Sequence, residues 1–311
     1  KMSRKKVLIH LHPSTSFLGR CLSLINLEDE CILINGPSTF TKENKNFVKW
    51  FFLNLKQLED SKLNLSVYSF KKKLIIKYIK NFFVLKLSHQ NKNYFKDAVI
   101  DSIIRKNKLA SLYYKSRFFE VLFKFFYSLY CRLLISIYIT TLDDLQIDLV
   151  IISHAVYMNY GSLLIAAIEK NIKVNIVSGG FSNSYFISKD LDSYHIARYY
   201  KYLYPEFESN IKVDIKGEAD NAISNEKEIK FIRPTKKYPA DTLIICSHCF
   251  ADNNHIGDSR KMLYETYYEW LDSTLKILDN EYNPTFKNYI IKVHPYIEIY
   301  KEKFLLNRII K

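Results

Sequence analysis

The sequence predicts an α/β protein in two domains, the second of them incomplete. Three observations lead there. Short apolar runs recur along the 311 residues, and each breaks into a polar tip. Helical patterns separate them, most clearly Leu263, Tyr267, Trp270, Leu271, Thr274 and Leu278, which share one face at 3.6-residue spacing. A polar, charged segment from Asp214 to Asp241, with Gly217, Pro234 and Pro239, divides this alternation in two. The expected units are therefore residues 1–213, a linker at 214–240, and a partial domain at 241–311.

The first strand is Val7 to Leu11, ending at His12-Pro13, and Phe17 to Leu27 suits the helix that follows. Cys31 to Ile34 is the next strand, closed by Asn35-Gly36-Pro37. This opening is Rossmann-like, but Gly19 stands alone where a dinucleotide site needs three glycines, so NAD and FAD are not expected. Residues 45–115 alternate helical and basic stretches. Lys71-Lys72-Lys73 there is either a phosphate or membrane patch or simply solvated surface.

Residues 118–141 form the most apolar segment, close to the length that spans a bilayer. Glu120, Lys124 and Arg132 interrupt it, which leaves a core helix, an interfacial helix and a membrane span as competing readings. Asp148 to Ser153 is the next strand, and His154 to Gly161 its carboxyl-end loop. A helix from Ser162 to Lys170, opened by Gly161, would offer its N-terminal N–H groups to an anion or hydroxyl. The strand Lys173 to Val177 then ends in Ser178-Gly179-Gly180, which either admits a ligand close to the backbone or forms a plain turn.

In the second unit the strand Leu243 to Cys246 leads into Ser247-His248-Cys249-Phe250-Ala251-Asp252, with Cys246 expected to point into the core. Tyr289 to Val293 is the closing strand, ending at His294-Pro295. Parallel strands share a carboxyl edge, so His248, Asp252, Lys292 and His294 gather where open α/β sheets bind ligands. Lys292 and His294 suit a phosphate leaving group, while Asp252 or His248 could serve as general base. A structural His294 that caps its strand is the competing reading.

Composition narrows the classes. With 25% charged and 48% hydrophobic residues the chain is an ordinary globular protein, and 7 Gly with 7 Pro exclude collagen-like or low-complexity readings. A net charge of +14 favours anionic partners. Nucleic acid is not expected, because no zinc-finger or RRM signature is present. Five cysteines without framework spacing indicate a reduced, cytoplasmic protein. The basic N-terminus leads into an apolar run too short for a signal peptide. Cys246, His248 and Cys249 have metal-binding atoms, but no second ligand pair follows, so no metal is expected. Neither a G-x-S-x-G elbow nor a P-loop occurs.

The pattern His248-x-Phe250-x-Asp252, Tyr267-Tyr268-Glu269-Trp270-Leu271 and Ile291-Lys292-Val293-His294-Pro295 resembles bacterial capsule and lipopolysaccharide glycosyltransferases of the GT-B type. The segment Ser153-His154, Tyr157, Tyr160-Gly161 is similar to their N-terminal-domain loop. The resemblance covers roughly residues 145–180 and 240–296. It implies a GT-B-like fold and a metal-independent, inverting transferase that needs no cofactor. The substrates would be a nucleotide-sugar donor, with CMP as one candidate nucleotide, and a glycan or lipid-linked glycan acceptor. Lys292, His294, Ser178, Gly179 and Gly180 would hold the donor, and Tyr157, Tyr160 and Gly161 the acceptor. Asp252, His248 or His154 would deprotonate the acceptor hydroxyl. The expected location is the cytoplasm, with peripheral contact to the inner face of the membrane as an option. The family continues well beyond the Lys-x-His-Pro motif, whereas this chain stops at Lys311, so the alternative is a truncated or non-catalytic polysaccharide-assembly or glycan-binding protein.

Overall fold

The structure, a computed structural model, describes residues 4–10, 17, 21, 24–26, 28–34, 64–68, 72–106, 110, 112–153, 157–177, 184–187, 238–250, 263–264, 266–280, 286–298 and 302–310. His154, Ser178, Gly179, Gly180, Asp252 and most of the expected linker lie outside them.

Six strands form the main sheet: β1 (Lys6–His10), β2 (Glu30–Ile34), β3 (Asn64–Tyr68), β4 (Leu149–Ile152), β5 (Lys173–Val177) and β6 (Ser184–Ile187). Their spatial order is β3-β2-β1-β4-β5-β6; the first five are parallel and β6 closes one edge antiparallel. The α/β class read from the sequence is thus the observed one. β3 is an addition to the sequence expectation, which has helical and basic stretches there. Its NLSVY run alternates as a strand does, but it is short, holds one β-branched residue and runs into the Lys71-Lys72-Lys73 triplet.

Side-chain alternation explains why the strands read as continuous apolar runs. Leu8, Ile32, Val150 and Val174 face one side of the sheet, while Val7, Ile9, Cys31, Leu33 and Ile151 face the other. Both faces are covered, as parallel sheets require. The first face carries helices α2 (His89–Ile104), α3 (Arg117–Leu145) and α4 (Tyr157–Glu169), and α1 (Ile75–Val84) packs against α3. The second face packs on Phe17 and Cys21.

α3 serves two purposes along its 29 residues. Its buried positions, Cys131 to Leu142, all lie in the C-terminal half, where they join the core with α2 and α4. The N-terminal half exposes Phe118, Val121, Phe125 and Phe126. Among the described residues this helix alone has the length and apolarity to cross a membrane, but half of it is domain core. The charges that interrupted its pattern are accommodated locally. Arg132 donates to the carbonyls of Phe82 and Leu85, each at 2.7 Å, satisfying the C-terminal turn of α1. Glu120 pairs with Arg117 at 2.8 Å and Lys124 at 2.9 Å.

The second unit pairs β7 (Thr242–Cys246) with β8 (Asn288–Lys292) in parallel, and adds α5 (Tyr267–Asn280) and α6 (Lys303–Ile309). Ile245, Phe250, Leu271, Ile297, Leu305 and Leu306 form its core. Tyr114, just before α3, stacks on Tyr268 at 4.2 Å between ring centroids and so joins the two units. Cys246 corrects the sequence expectation: it is exposed, while Ile245 points inward. The helix covers one face of a two-stranded sheet, so alternate residues of β7 face away from the core, Ile244 being half exposed.

Candidate functional site

Two groups of side chains sit at carboxyl ends of parallel strands. The first lies where the chain order of the main sheet reverses, between β1 and β4, the position at which open α/β sheets bind ligands. His10 ends β1 and is buried, with the Tyr160 ring 4.7 Å away and Tyr138 Oη 3.4 Å from its Nε2. Burial raises the Tyr138 phenol well above its ordinary value. It also raises that of Tyr160, with a Ser153 hydrogen bond and then Arg105 opposing it. Both phenols therefore stay neutral donors at physiological pH.

Three residues expected to bind an acceptor lie here, and two of them are otherwise engaged. Tyr157 starts α4 at a φ of 63°, a strained conformation for a bulky residue, and its ring lies 4.5 Å beneath the Arg105 guanidinium. Gly161 lies inside α4 and does not open it, because the helix begins at Tyr157. A Cβ at Gly161 would meet Ala98 Cβ at 3.3 Å and Tyr94 Oη at 3.4 Å, so close packing on α2 explains the missing side chain. The N–H groups expected to meet an anion have a protein partner as well: the amide of Met158 donates to Ser102 Oγ at 2.7 Å. Tyr160 remains at the crevice. His10 was passed over in the sequence, although its place as the last residue of the first strand was the available signal.

The second group lies at the ends of β7 and β8. Cys246 and Lys292 stand opposite each other in the register, and the chain beyond each carries a histidine. The ring of His248 lies between two others. Tyr267 stacks on it at 4.3 Å with 15° between planes, and His294 at 5.2 Å with 23°. Cys249 Sγ is 2.9 Å from His294 Nδ1. This contact occupies the Nδ1 side of the imidazole, with either atom able to donate, and so orients the His294 ring. Ser247 N–H donates to the carbonyl of Lys292 at 3.0 Å, leaving the lysine side chain exposed.

Local sequence explains the geometry. Thr266 caps α5, accepting from the amide of Glu269 at 3.2 Å, and the Thr-x-x-Glu spacing is that of a capping box. The cap starts the helix at Tyr267, which sets that ring against His248. Buried Glu302 accepts from the amide of Phe250 at 2.9 Å, tying the loop after β7 to the start of α6. Beside the ring stack is a cavity of about 410 Å³ lined by Cys246, His248, Tyr264, Thr266, Tyr267 and Trp270. That volume suits a small organic ligand. Among the described residues no cluster of His, Cys, Asp or Glu could hold a metal ion. Cys249, Glu302 and Trp270 were not picked out as site residues from the sequence.

No family model matches the chain, and no curated protein matches it. Among solved structures it is similar to a CDPS from Fluoribacter dumoffii, at 12% identity and a TM-score of 0.33, over 53% of this chain and 84% of that one. The expectation of sugar transfer drawn from the His-Pro resemblance, with its glycan-binding alternative, is corrected here: none of the comparisons carries it. At this identity and TM-score the likeness carries no activity over to the present chain. What the site can bind is therefore argued from the cluster at the ends of β7 and β8 and not from a relative.

Proposed function

We propose that the second unit binds a small ligand combining a flat unsaturated ring with an anionic group, a nucleotide being the chemical class that fits best. The observation that carries this is the three-ring stack of Tyr267, His248 and His294 beside the Trp270-lined cavity. Aromatic walls favour a planar heterocycle. The exposed Lys292 supplies charge and hydrogen bonds for a phosphate, with the imidazole of His294 beside it. In architecture the reading keeps a GT-B-like pairing of two α/β units, without its chemistry.

The test is a thermal-shift and tryptophan-fluorescence panel with CMP, UDP, GDP and ADP, alongside inorganic phosphate. It uses a Trp50→Phe background, in which Trp270 is the sole remaining tryptophan. A nucleotide at 100 times its dissociation constant stabilises the fold by about 2.7 kcal/mol. At least one nucleotide should raise the melting temperature and quench Trp270, and Tyr267→Ala should abolish both effects. Silence from all four nucleotides sinks the reading.

A further inference from the structure

The surface most unlike that of a soluble protein lies away from both strand ends, where α1 packs along the middle of α3. Ile76 is 80% exposed and Phe118 67%, and Phe83, 75% exposed, and Phe126, 57% exposed, line one apolar groove. Between the two helices runs a groove of about 390 Å³ lined only by apolar and aromatic residues, among them Ile79, Phe82, Phe126, Leu129 and Leu133. Isolated exposed apolar residues are ordinary, but a contiguous patch of this kind marks a docking surface.

The charges around the patch select the partner. Residues 71–86 contain six lysines and no acidic residue, and Lys73, Lys77, Lys80 and Lys86 are exposed. Within the patch the remaining charges are already neutralised or bonded: Glu120 lies between Arg117 and Lys124, and Arg132 is held by the carbonyls of Phe82 and Leu85. Insertion would thus leave Glu120, the carboxylate of this half of α3, paired on both sides. Aromatic and aliphatic side chains beside a row of lysines have the composition of a helix face that lies in the headgroup region of a membrane.

We propose that the α1–α3 face docks on an anionic lipid surface, its phenylalanines and isoleucines entering the acyl boundary while the lysines meet lipid phosphates. α3 lies on the membrane through its first half and does not cross it, because its second half is held in the domain core. This proposal is independent of the ligand assigned to the second unit.

The experiment is flotation of the full chain with vesicles of phosphatidylcholine, alone or mixed with an equal part of phosphatidylglycerol. The chain should float with the anionic vesicles, bind the neutral ones far less, and be released by high salt. Lys77→Glu with Lys80→Glu should weaken binding at least about tenfold, since each lysine near such a surface contributes about 1 kcal/mol. Phe83→Asp with Phe126→Asp should abolish it. These side chains are exposed, so unchanged melting temperatures check the fold, and the lysine pair tests the proposal even where the phenylalanine pair fails to express. Equal binding to both vesicle types, or to neither, overturns it. So does a dimer in lipid-free solution that Phe83→Asp dissociates, which would make the face a contact between copies of the chain.

Discussion

Cys249 and His294 meet at 2.9 Å across the ends of two parallel strands, and the thiol engages the Nδ1 side of the imidazole. Cys249→Ala removes that partner and should lower stability by about 1 kcal/mol, the usual net contribution of a buried hydrogen bond. Cys249→Ser keeps a donor and should recover most of the loss. Nitrogen NMR of the imidazole is the sharper readout: the His294 tautomer should become mixed in the alanine variant and single again in the serine one. An unchanged tautomer in both variants would remove the positioning role.

The cysteines differ sharply in access. Cys21, Cys31, Cys131 and Cys249 are buried, whereas Cys246 is exposed and lines the cavity. Burial lifts the Cys31 thiol to about 11, with help from Asp29, and that of Cys131 to about 12 despite its Ser162 contact. A chromogenic disulfide reagent at mildly alkaline pH should therefore modify one thiol in the native chain and all five after unfolding. A bound nucleotide should slow that single reaction, and Cys246→Ser should eliminate it.

Gly161 is a packing residue between α2 and α4. Gly161→Val forces a branched side chain against Ala98 and Tyr94 and should cost about 1–3 kcal/mol. Gly161→Ala should cost much less, because the gain in helix propensity offsets part of the crowding. Urea midpoints at unchanged slope provide the measurement.

Glu120 links the exposed half of α3 to pH. Burial works against its charge, but the hydrogen bond and charge of Lys124, followed by those of Arg117, hold its carboxyl below the ordinary 4.5. A carboxyl lowered in the folded state contributes stability above its unfolded value and loses it as pH falls through the folded one. The native chain should thus melt slightly above Glu120→Gln at neutral pH, by a few tenths of a kcal/mol. That gap should close on acidification below the ordinary carboxyl range, and a gap that persists there would place the effect elsewhere.

Periodicity and strand direction were local enough to be read from the sequence. Apolar runs located β1, β2, β4, β5, β7 and β8, and parallel pairing alone puts His248 and His294 on one edge. What escaped depends on residues distant in the chain. The start of α4 at Tyr157, ahead of the expected Ser162, goes with a cap from Ser102 on another helix. Arg132 looked like an interruption of an apolar helix because its carbonyl partners lie in a different one. Cys246 was turned the wrong way because alternation gives two faces without saying which one a helix will cover. The activity suggested by a short His-Pro motif failed for a related reason: a strand-end histidine is common to many α/β sites, and its neighbours decide its chemistry.

The central position of β1 also governs how the chain must assemble during synthesis. β1 is made before its partner strands and can pair with β2 soon afterwards. Its other neighbour is β4, and the amide of Lys6 is satisfied at 2.8 Å by the carboxylate of Asp148. At about 5–20 residues per second, the interval between those two partners is on the order of ten seconds. Throughout it the nascent chain carries a strand with one open edge, joined midway by the apolar face of α1 and towards its end by that of α3. The delay before β4 appears is therefore the period in which this protein is most exposed to aggregation and most dependent on chaperones.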